Sequence, residues 1–278
     1  MDNKLNILVK KANSGDRKSL ELVILEIKNL AYNLSLKMLL FPEDAKDATQ
    51  EILIKVVTRL STFNHQSHFK TWVYRVATNY LLNHKGKKSV EFAMPFEDYA
   101  NLIDSGQSDV VRYATNEGEL SLLEEEVKVS CTQGLLLCLK SEDRLVYILS
   151  EILEFNGNEG AEILGINPES FRKKLSRSRE KIRNFLNNKC GLANAKNPCR
   201  CNKKIDFLIN QNVINPKSLR FAEFTQRSID LVSQIGNLEK SVAIYHSTPT
   251  IPAPATIMKA IKETILIDKK YDKPKLRF

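Results

Sequence analysis

Apolar residues recur every three or four positions through most of this chain, which is the spacing of one face of an α-helix. The spacing is clearest from about residue 16 to 40, and it returns after Pro42, Ser67, Ser141 and Pro168. The alternation typical of β-strands is scarce, and hairpin turn signals are missing from the sequence. The pattern therefore predicts an all-α fold.

The distribution of charge divides the predicted helices into parts. Residues 91–126 hold ten acidic side chains and one base, Arg112, with weak periodicity and scattered Gly and Ser, so we interpret them as an acidic linker. Residues 171–204 instead hold twelve bases and one acid. The chain is thus predicted to comprise a helical domain over 1–90, the linker over 91–126, a second helical domain over 127–204 and a helical extension over 205–278.

The extension carries two further helical stripes separated by the proline-rich stretch STPTIPAPA. Its function cannot be assigned from the pattern. Packing on the second domain, binding a regulator and stabilising the fold all stay open. The two stripes comprise Ile229, Val232, Ile235, Leu238, Val242 and Tyr245, and then Ile257, Ala260, Ile261 and Ile265.

Composition narrows the classes of partner. Lys and Arg number 42 against 33 acidic residues, which gives a net charge of +9 and favours a polyanion such as nucleic acid or an anionic membrane. The polar first residues predict no secretory signal, and no run of about 20 apolar residues predicts a spanning helix. We therefore expect a cytoplasmic protein that does not bind a membrane and whose five cysteines are reduced.

The helix that begins at Pro42 should have one apolar and one acidic face. Asp44, Asp47 and Glu51 are three and four residues apart, so they share a side. From the spacing alone, a solvated face is the simpler interpretation, and a docking surface for a basic partner is the sharper one. A metal site is a third reading, but no further acid or His stands at suitable spacing.

The next helix, expected to begin at Ser67 as its N-cap, mixes bases, amides and aromatic residues. Such a mixture suits single-stranded nucleic acid, since cations meet phosphates and rings stack on bases. The signal is weak, because Trp72 in a core would give the same pattern.

A helix-turn-helix is predicted farther along the chain. A short helix over about residues 158–164 ends at Gly165, and a second helix opens with Asn167 as N-cap and Pro168 at its first position. Placing residues at 100° intervals turns long donors and a short hydroxyl outward near its N-terminal half, as a helix in the major groove requires. A solvated basic helix is the competing interpretation. The candidate DNA-contacting residues are Ser170, Arg172, Lys173, Lys174 and Arg177.

Two stretches resemble a known family. PEDAKDATQEILIKVVTRLSTFNHQSHFKTWVYRVATNYLLN resembles region 2 of bacterial sigma-70 family sigma factors, of the small extracytoplasmic-function kind, and EDRLVYILSEILEFNGNEGAEILGINPESFRKKLSRSREKIRNFL resembles their region 4. The resemblance covers roughly residues 10–204. The end of the first stretch reads HKGKK where relatives usually carry arginines.

The resemblance implies two partners, RNA polymerase core and promoter DNA. In the family, the DATQE helix docks on the clamp helices of the polymerase β′ subunit, which implies this role for Asp47, Gln50 and Glu51. Region 4 reads the promoter −35 element and meets the β flap. The region 2 loop and helix open the −10 element and hold its non-template strand, and the matching residues are Ser67, Lys70, Trp72, Arg75 and Asn79. An anti-sigma factor or other regulator is left open as a further partner.

The cysteines predict no metal site. Cys190, Cys199 and Cys201 lie within twelve residues, but structural zinc takes four ligands and no fourth is close in sequence. Reduced thiols are the preferred interpretation, and redox sensing is a minor alternative, because nearby bases could lower a thiol pKa. Cys131 and Cys138 are expected in the core.

Three classes of function compete at this stage. A sigma factor must bind core polymerase, whereas a free-standing helix-turn-helix regulator would bind DNA without it and would not need the acidic face. A nucleic-acid-processing enzyme is disfavoured, because the sequence offers no phosphate-binding glycine loop and no nucleophile paired with a base. We therefore predict no catalytic residues and no cofactor.

Overall fold

The computed structural model describes residues 2–84, 86–221, 245 and 250–266. Apart from one isolated β-bridge, the regular structure in these ranges is helical, which confirms the predicted all-α fold. The helices are α1 (Asp2–Asn13), α2 (Arg17–Leu39), α3 (Pro42–Thr58), α4 (Phe69–Asn83), α5 (Lys87–Phe92), α6 (Phe96–Asp104), α7 (Glu117–Leu137), α8 (Ser141–Tyr147), α9 (Gly157–Leu164), α10 (Pro168–Lys189), α11 (Ile205–Asn210) and α12 (Ala255–Ile261). α8 and α12 continue as the π-helical turns Ile148–Ile152 and Lys262–Leu266, and 3-10 turns span Leu60–Thr62 and Asn202–Lys204.

The first helices follow the sequence signals closely. α2 begins after Asp16, whose carboxylate accepts hydrogen bonds from the Lys18 amide and the Ser19 hydroxyl. Pro42 occupies the first turn of α3, as expected. The predicted cap at Ser67 is wrong: α4 begins at Phe69 with His68 at the N-cap position and no side-chain cap. The loop turns earlier instead, at His65, which has a positive φ of 60°.

The acidic segment contains more regular structure than its weak periodicity suggested. α6 lies wholly inside it, and α7 crosses its predicted end at residue 126. Two of its acids are buried and bonded. Glu126 accepts hydrogen bonds from the amides of Arg220 and Phe221, and Glu125 pairs with Lys128 at 2.6 Å. Glu126 thus holds the backbone at residues 220–221 in place, and the Glu125 pair lies within α7; a solvated linker requires neither.

The helix-turn-helix has the expected boundaries. Asn156 and Glu159 form a reciprocal capping box at the start of α9, and Gly165 closes that helix in the left-handed conformation with φ 66°. Asn167 then caps α10 and Pro168 takes its first turn, as predicted. The expected cap of α8 at Ser141 is wrong by one residue. Ser141 is already helical, and Lys140 takes the N-cap position.

A single cluster of buried side chains joins both halves of the molecule. It includes residues of α2, α3 and α4 together with residues of α8, α9 and α10. The buried guanidinium of Arg144 donates to the carbonyl of Met38 near the end of α2 and to three carbonyls at and just after the end of α7. The predicted domains are therefore in direct contact.

The described parts of the extension pack on α7 and on the helices of the first domain. The side-chain amide of Asn33 exchanges two hydrogen bonds with the backbone of Ile251, at 2.8 and 2.9 Å. The Tyr245 hydroxyl donates to the carbonyl of Thr132, and Ile257 and Ile261 of α12 are buried, as their spacing predicted. The rest of the first predicted stripe, residues 229–242, lies outside the described residues.

In the described ranges, no helix is long and apolar enough to cross a bilayer.

Candidate functional site

The acidic face of α3 is directed outward. Asp47 and Glu51 are exposed and Gln50 is partly exposed, while Ala48 and Ile52 on the opposite side are buried. Asp44 is less available to a partner, because its carboxylate already accepts hydrogen bonds from the amide and hydroxyl of Ser89. The face available to a partner is therefore formed by Asp47, Gln50 and Glu51.

The negative charges of this face also act on the C-terminal part of α4. Burial raises the pKa of the Tyr80 hydroxyl, and the negative charges of Glu51 and Asp47 raise it further. Lys55 lies over the Tyr80 ring at 5.6 Å. The electrostatic field of the two acids thus reaches the neighbouring helix, where a cationic partner would be attracted.

The region around the start of α4 combines an aromatic cluster with polar side chains. Trp72 is partly buried and packs against Phe63 and Phe69, with both ring-centre distances 5.7 Å. Ser67 is partly exposed beside it, and Lys70 and Asn79 are exposed on the same helix or its entry loop. Trp72 therefore agrees in part with both interpretations, a core residue and a ring that stacks on a base, because it packs inward and is still partly accessible.

Arg75 differs from the other candidates on α4, because it is already engaged. Its guanidinium donates to the backbone carbonyl of Glu162 at 2.7 and 3.1 Å and lies 3.6 Å from that residue's carboxylate. Close by, the rings of Tyr74 and Phe155 meet edge to face at 4.9 Å. Helix α9 therefore covers part of the α4 surface for which the family resemblance implies contact with the −10 strand.

Sequence reasoning did not find Glu162 and Phe155 as neighbours of α4. They lie about 80 residues away along the chain, and their own surroundings carry no signal of a contact with α4. Only the packing of the two halves brings them together.

The second helix of the helix-turn-helix presents the expected cationic side. Phe171, Leu175 and Ile182 are buried against the preceding helices. Of the five candidate DNA contacts on α10, Ser170, Arg172, Lys173 and Arg177 are exposed and Lys174 is partly exposed.

Two of these lysines have acidic neighbours. Lys173 pairs with Glu169 one turn earlier at 2.7 Å, and Lys174 reaches Glu142 at 3.1 Å and Asp143 at 3.7 Å. Such exposed pairs contribute roughly 0–1 kcal/mol, so a phosphate can displace them. Arg177 makes no hydrogen bond or ion pair with a described residue, which leaves its guanidinium available.

Burial governs the shifted thiols. It raises the pKa of Cys131, which was expected in the core, to about 12. It also raises the pKa of Cys199 and Cys201, so the lowering by nearby bases that the minor redox alternative needs does not occur at these two. Within the described ranges, no three side chains of His, Cys, Asp or Glu already form a cluster able to hold a metal ion.

Comparison with known proteins gives independent information. The Sigma-70 region 2 family matches residues 23–90. The ECF RNA polymerase sigma factor SigW of Bacillus subtilis is 28% identical over 182 residues, which cover 64% of this chain and 94% of the relative. The RNA polymerase sigma-H factor of Pseudomonas aeruginosa is 24% identical, covering 63% and 90%, and the ECF RNA polymerase sigma-E factor of Escherichia coli K12 is 25% identical, covering 64% and 92%.

The matched region contains α3 and α4, the helices that carry the acidic face and the aromatic cluster. The relatives are matched over nearly their whole length, while about a third of this chain lies outside each alignment. The motifs, the region 2 match and these relatives together support the resemblance of this chain to ECF-like sigma-70 factors.

Proposed function

We propose that this chain directs RNA polymerase to promoters and has no catalytic activity of its own. It would bind core polymerase and promoter DNA in the cytoplasm, where both are found. The observation that carries the proposal is the exposed acidic face of α3 inside the matched region, because a regulator that acts without polymerase has no need of it.

Polymerase docking is assigned to Asp47, Gln50 and Glu51. Their side chains are directed away from the core, and helix α3 is fixed from behind by α2 and α4. A rigid helix with exposed carboxylates suits a cationic partner such as the β′ clamp helices, since attraction between opposite charges accelerates encounter and fixes register.

Promoter opening is assigned to the start of α4 and its entry loop. Lys70 and Asn79 supply a cation and an amide, Ser67 a hydroxyl and Trp72 a ring, which are the groups that hold a single strand. Arg75 joins them once it releases Glu162. The −35 element is assigned to α10, where Arg177 is the residue best placed to reach a guanine edge.

The division of labour follows the predicted boundaries. Residues 1–90 would act at polymerase and the −10 element, and residues 127–204 at the −35 element and the β flap. Residues 91–126 would connect them, with 205–278 as an added module. A regulator such as an anti-sigma factor has no assigned surface in this proposal.

Reconstituted transcription tests the proposal directly. The purified chain is mixed with core polymerase and promoter DNA, and promoter-specific transcripts are counted. The double substitution of Gln50 and Glu51 by Ala should weaken core binding by roughly 2–5 kcal/mol without loss of helicity. Glu43→Ala is the matched control, because Glu43 is an exposed acid on the same helix that lies outside the docking set.

Two outcomes contradict the proposal. Wild-type core affinity in a folded double variant removes the docking assignment. Sequence-specific DNA binding that is unaffected by polymerase, with no transcripts, favours the free-standing regulator instead.

A further inference from the structure

A cavity of about 200 Å³ lies where helices α5, α6, α7 and α11 meet. Most of the side chains that line it are apolar, and the exposed side chains of Glu91 and Gln211 mark its solvent side. None of the residues assigned above to polymerase or to promoter DNA lines this cavity. The proposed function therefore leaves the space without a role, and it is available to a ligand of its own.

The walls of the cavity are already fixed by their own packing. The hydroxyl of Tyr99, from α6, donates to the carbonyl of Cys131 on α7 at 2.7 Å. The ring of Phe207, from α11, lies so close to Gly106 that a Cβ at Gly106 would overlap it. Gly106 also has a positive φ of 62°, a conformation that favours glycine. A ligand would thus enter a preformed space, as is usual for small-molecule sites.

One polar group in the walls lacks a hydrogen-bond partner. Ser130 of α7 lines the cavity with only 2% of its surface exposed. Its hydroxyl forms no hydrogen bond with any described residue. Buried hydroxyls are usually bonded, and leaving one without a partner costs free energy. A ligand with an oxygen that accepts from Ser130 would recover that cost.

A buried cation lies in the same walls. Lys204 is 3% exposed, and its ammonium donates to the backbone carbonyls of Leu102, at 3.2 Å, and Ser105. The ammonium also lies 5.1 Å from the centre of the Phe207 ring. An ammonium has three N–H donors, and the two carbonyls take only two of them. One donor of a buried charge is therefore left for a further acceptor.

The charges around this ammonium leave a place for an anion. Lys204 forms no ion pair with a carboxylate of the described residues, although a buried charge is costly without a counter-ion. The negative charge of Asp104 acts on it from a distance, but that carboxylate is paired with Lys189. Glu91 at the rim would repel a second carboxylate. The favourable position for an anion is thus the buried end, at Lys204.

We propose that this cavity binds a small carboxylic acid with an apolar body, such as a medium-chain fatty acid or an arylalkanoic acid. Lys204 is the counter-ion of its carboxylate, and the Ser130 hydroxyl supplies a further hydrogen bond inside the cavity. The apolar body lies among the side chains of α6, α7 and α11. Apolar cavities of roughly 150 Å³ admit benzene, so this one suits a ligand of about ten non-hydrogen atoms.

Such a ligand would connect segments that also contact the recognition helix. α6 packs on α10 through the rings of Phe96 and Tyr99, whose centres lie 6.0 and 5.6 Å from that of Phe185. Tyr99 lines the cavity as well. An occupied cavity would therefore fasten the acidic segment and the extension beside the C-terminal half of α10. The site needs neither polymerase nor DNA, so its test can fail while the proposed function holds.

Calorimetric titration of the full chain with octanoate and with 1-octanol tests the proposal. We expect saturable binding of one octanoate per chain and binding of octanol weaker by about tenfold or more, because the alcohol has no charge to pair with Lys204. Lys204→Met should bind octanoate about tenfold more weakly and octanol as the wild type does. Lys203→Met is the matched control, since Lys203 pairs with Asp109 and does not line the cavity.

A second measurement does not depend on how the variants fold. An octanoate analogue that carries a photoactivatable diazirine is irradiated with the wild-type chain, and the labelled peptides are identified by mass spectrometry. Labelling should fall in α6, α7 or α11, and excess octanoate should suppress it. The absence of saturable binding, or labelling confined to other segments, overturns the proposal. Equal affinity for octanoate and octanol, or full octanoate affinity in folded Lys204→Met, contradicts the assigned carboxylate pairing.

Discussion

At the scale of single residues, the Arg144 side chain caps the C-terminal ends of two helices. Its buried guanidinium accounts for hydrogen bonds to carbonyls near the ends of α2 and α7. Burial lowers its pKa to about 10, so the side chain stays charged at neutral pH. Because one guanidinium bonds carbonyls at the ends of both helices, the residue joins the two halves by hydrogen bonds as well as by packing.

Substituting Arg144 by Met should lower the free energy of unfolding by roughly 3 kcal/mol or more, because buried carbonyls lose their donors. Denaturant melts followed by circular dichroism measure the loss. The stability of Arg144→Lys should lie between those of the wild type and Arg144→Met, since an ammonium reaches fewer carbonyls than a guanidinium. Arg112→Met is the matched control with a mostly exposed side chain, and a change as small as the control's would contradict this role.

Lys37 gives a pH dependence at the same scale. It is buried in α2, and burial lowers its pKa to about 8. A lysine in the unfolded chain titrates near ~10.4. Between these values the unfolded chain binds more protons than the folded one, so this contribution to stability rises with pH. Below pH 8, the folded state holds an unfavourable buried charge.

Lys37→Met should therefore be more stable than the wild type at pH 7, by roughly 3 kcal/mol from the size of the pKa difference. The advantage should shrink toward pH 10, because the folded wild type no longer holds the buried charge there. Parallel denaturant melts at several pH values give the difference between the two proteins, and the cysteines and tyrosines common to both cancel from it. A difference that stays constant with pH would show that Lys37 is not the cause.

At the scale of elements, α10 combines exposed basic side chains with the position of the second helix in a helix-turn-helix. If Arg177 contacts a base, Arg177→Ala should reduce activity at −35-dependent promoters by roughly 1–3 kcal/mol, with the largest loss at one position. If it contacts phosphate alone, the loss should be similar for all −35 sequences and the salt slope should fall by about one. Transcription from a −35 mutant series at several salt concentrations separates the two cases.

Lys181→Ala is the matched control for this series, as an exposed base farther along the same helix. The assignment is wrong if the Ala variants of both Lys173 and Arg177 behave like the wild type at every −35 sequence.

Elements whose signals are local could be predicted from the sequence, and those set by distant contacts could not. The turn from Gly165 to Pro168 places its caps within a few residues, so its boundaries were correct. In α6, Phe96, Tyr99 and Ile103 have helical spacing, but the surrounding acids led us to interpret the segment as a linker. The contact of Arg75 with Glu162 depends on packing between distant helices, and no local pattern carries it.

At the scale of the whole molecule, the shared core couples the two halves. Trp72 is the chain's single tryptophan, so its fluorescence reports unfolding of the first half. Leu149→Ala removes a fully buried side chain from the second half and should destabilise the protein by roughly 2–5 kcal/mol. We expect the transition followed by Trp72 fluorescence to move to lower denaturant and to give the same loss of free energy of unfolding, because both halves unfold together.

Leu122→Ala serves as the control, because Leu122 is 42% exposed and its removal should leave the transition in place. A Trp72 transition that ignores Leu149→Ala would mean that the halves unfold separately.

If Arg75 contacts the promoter strand as proposed, its bond with Glu162 makes strand capture a competition between two ligands for one guanidinium. The chain itself supplies the first, the carbonyl of α9, and the promoter supplies the second. Every 1.4 kcal/mol by which the closed arrangement is favoured lowers the apparent affinity for a single strand by about tenfold, since only the open fraction can bind. A partner that separates α9 from α4 would raise that affinity without touching the DNA.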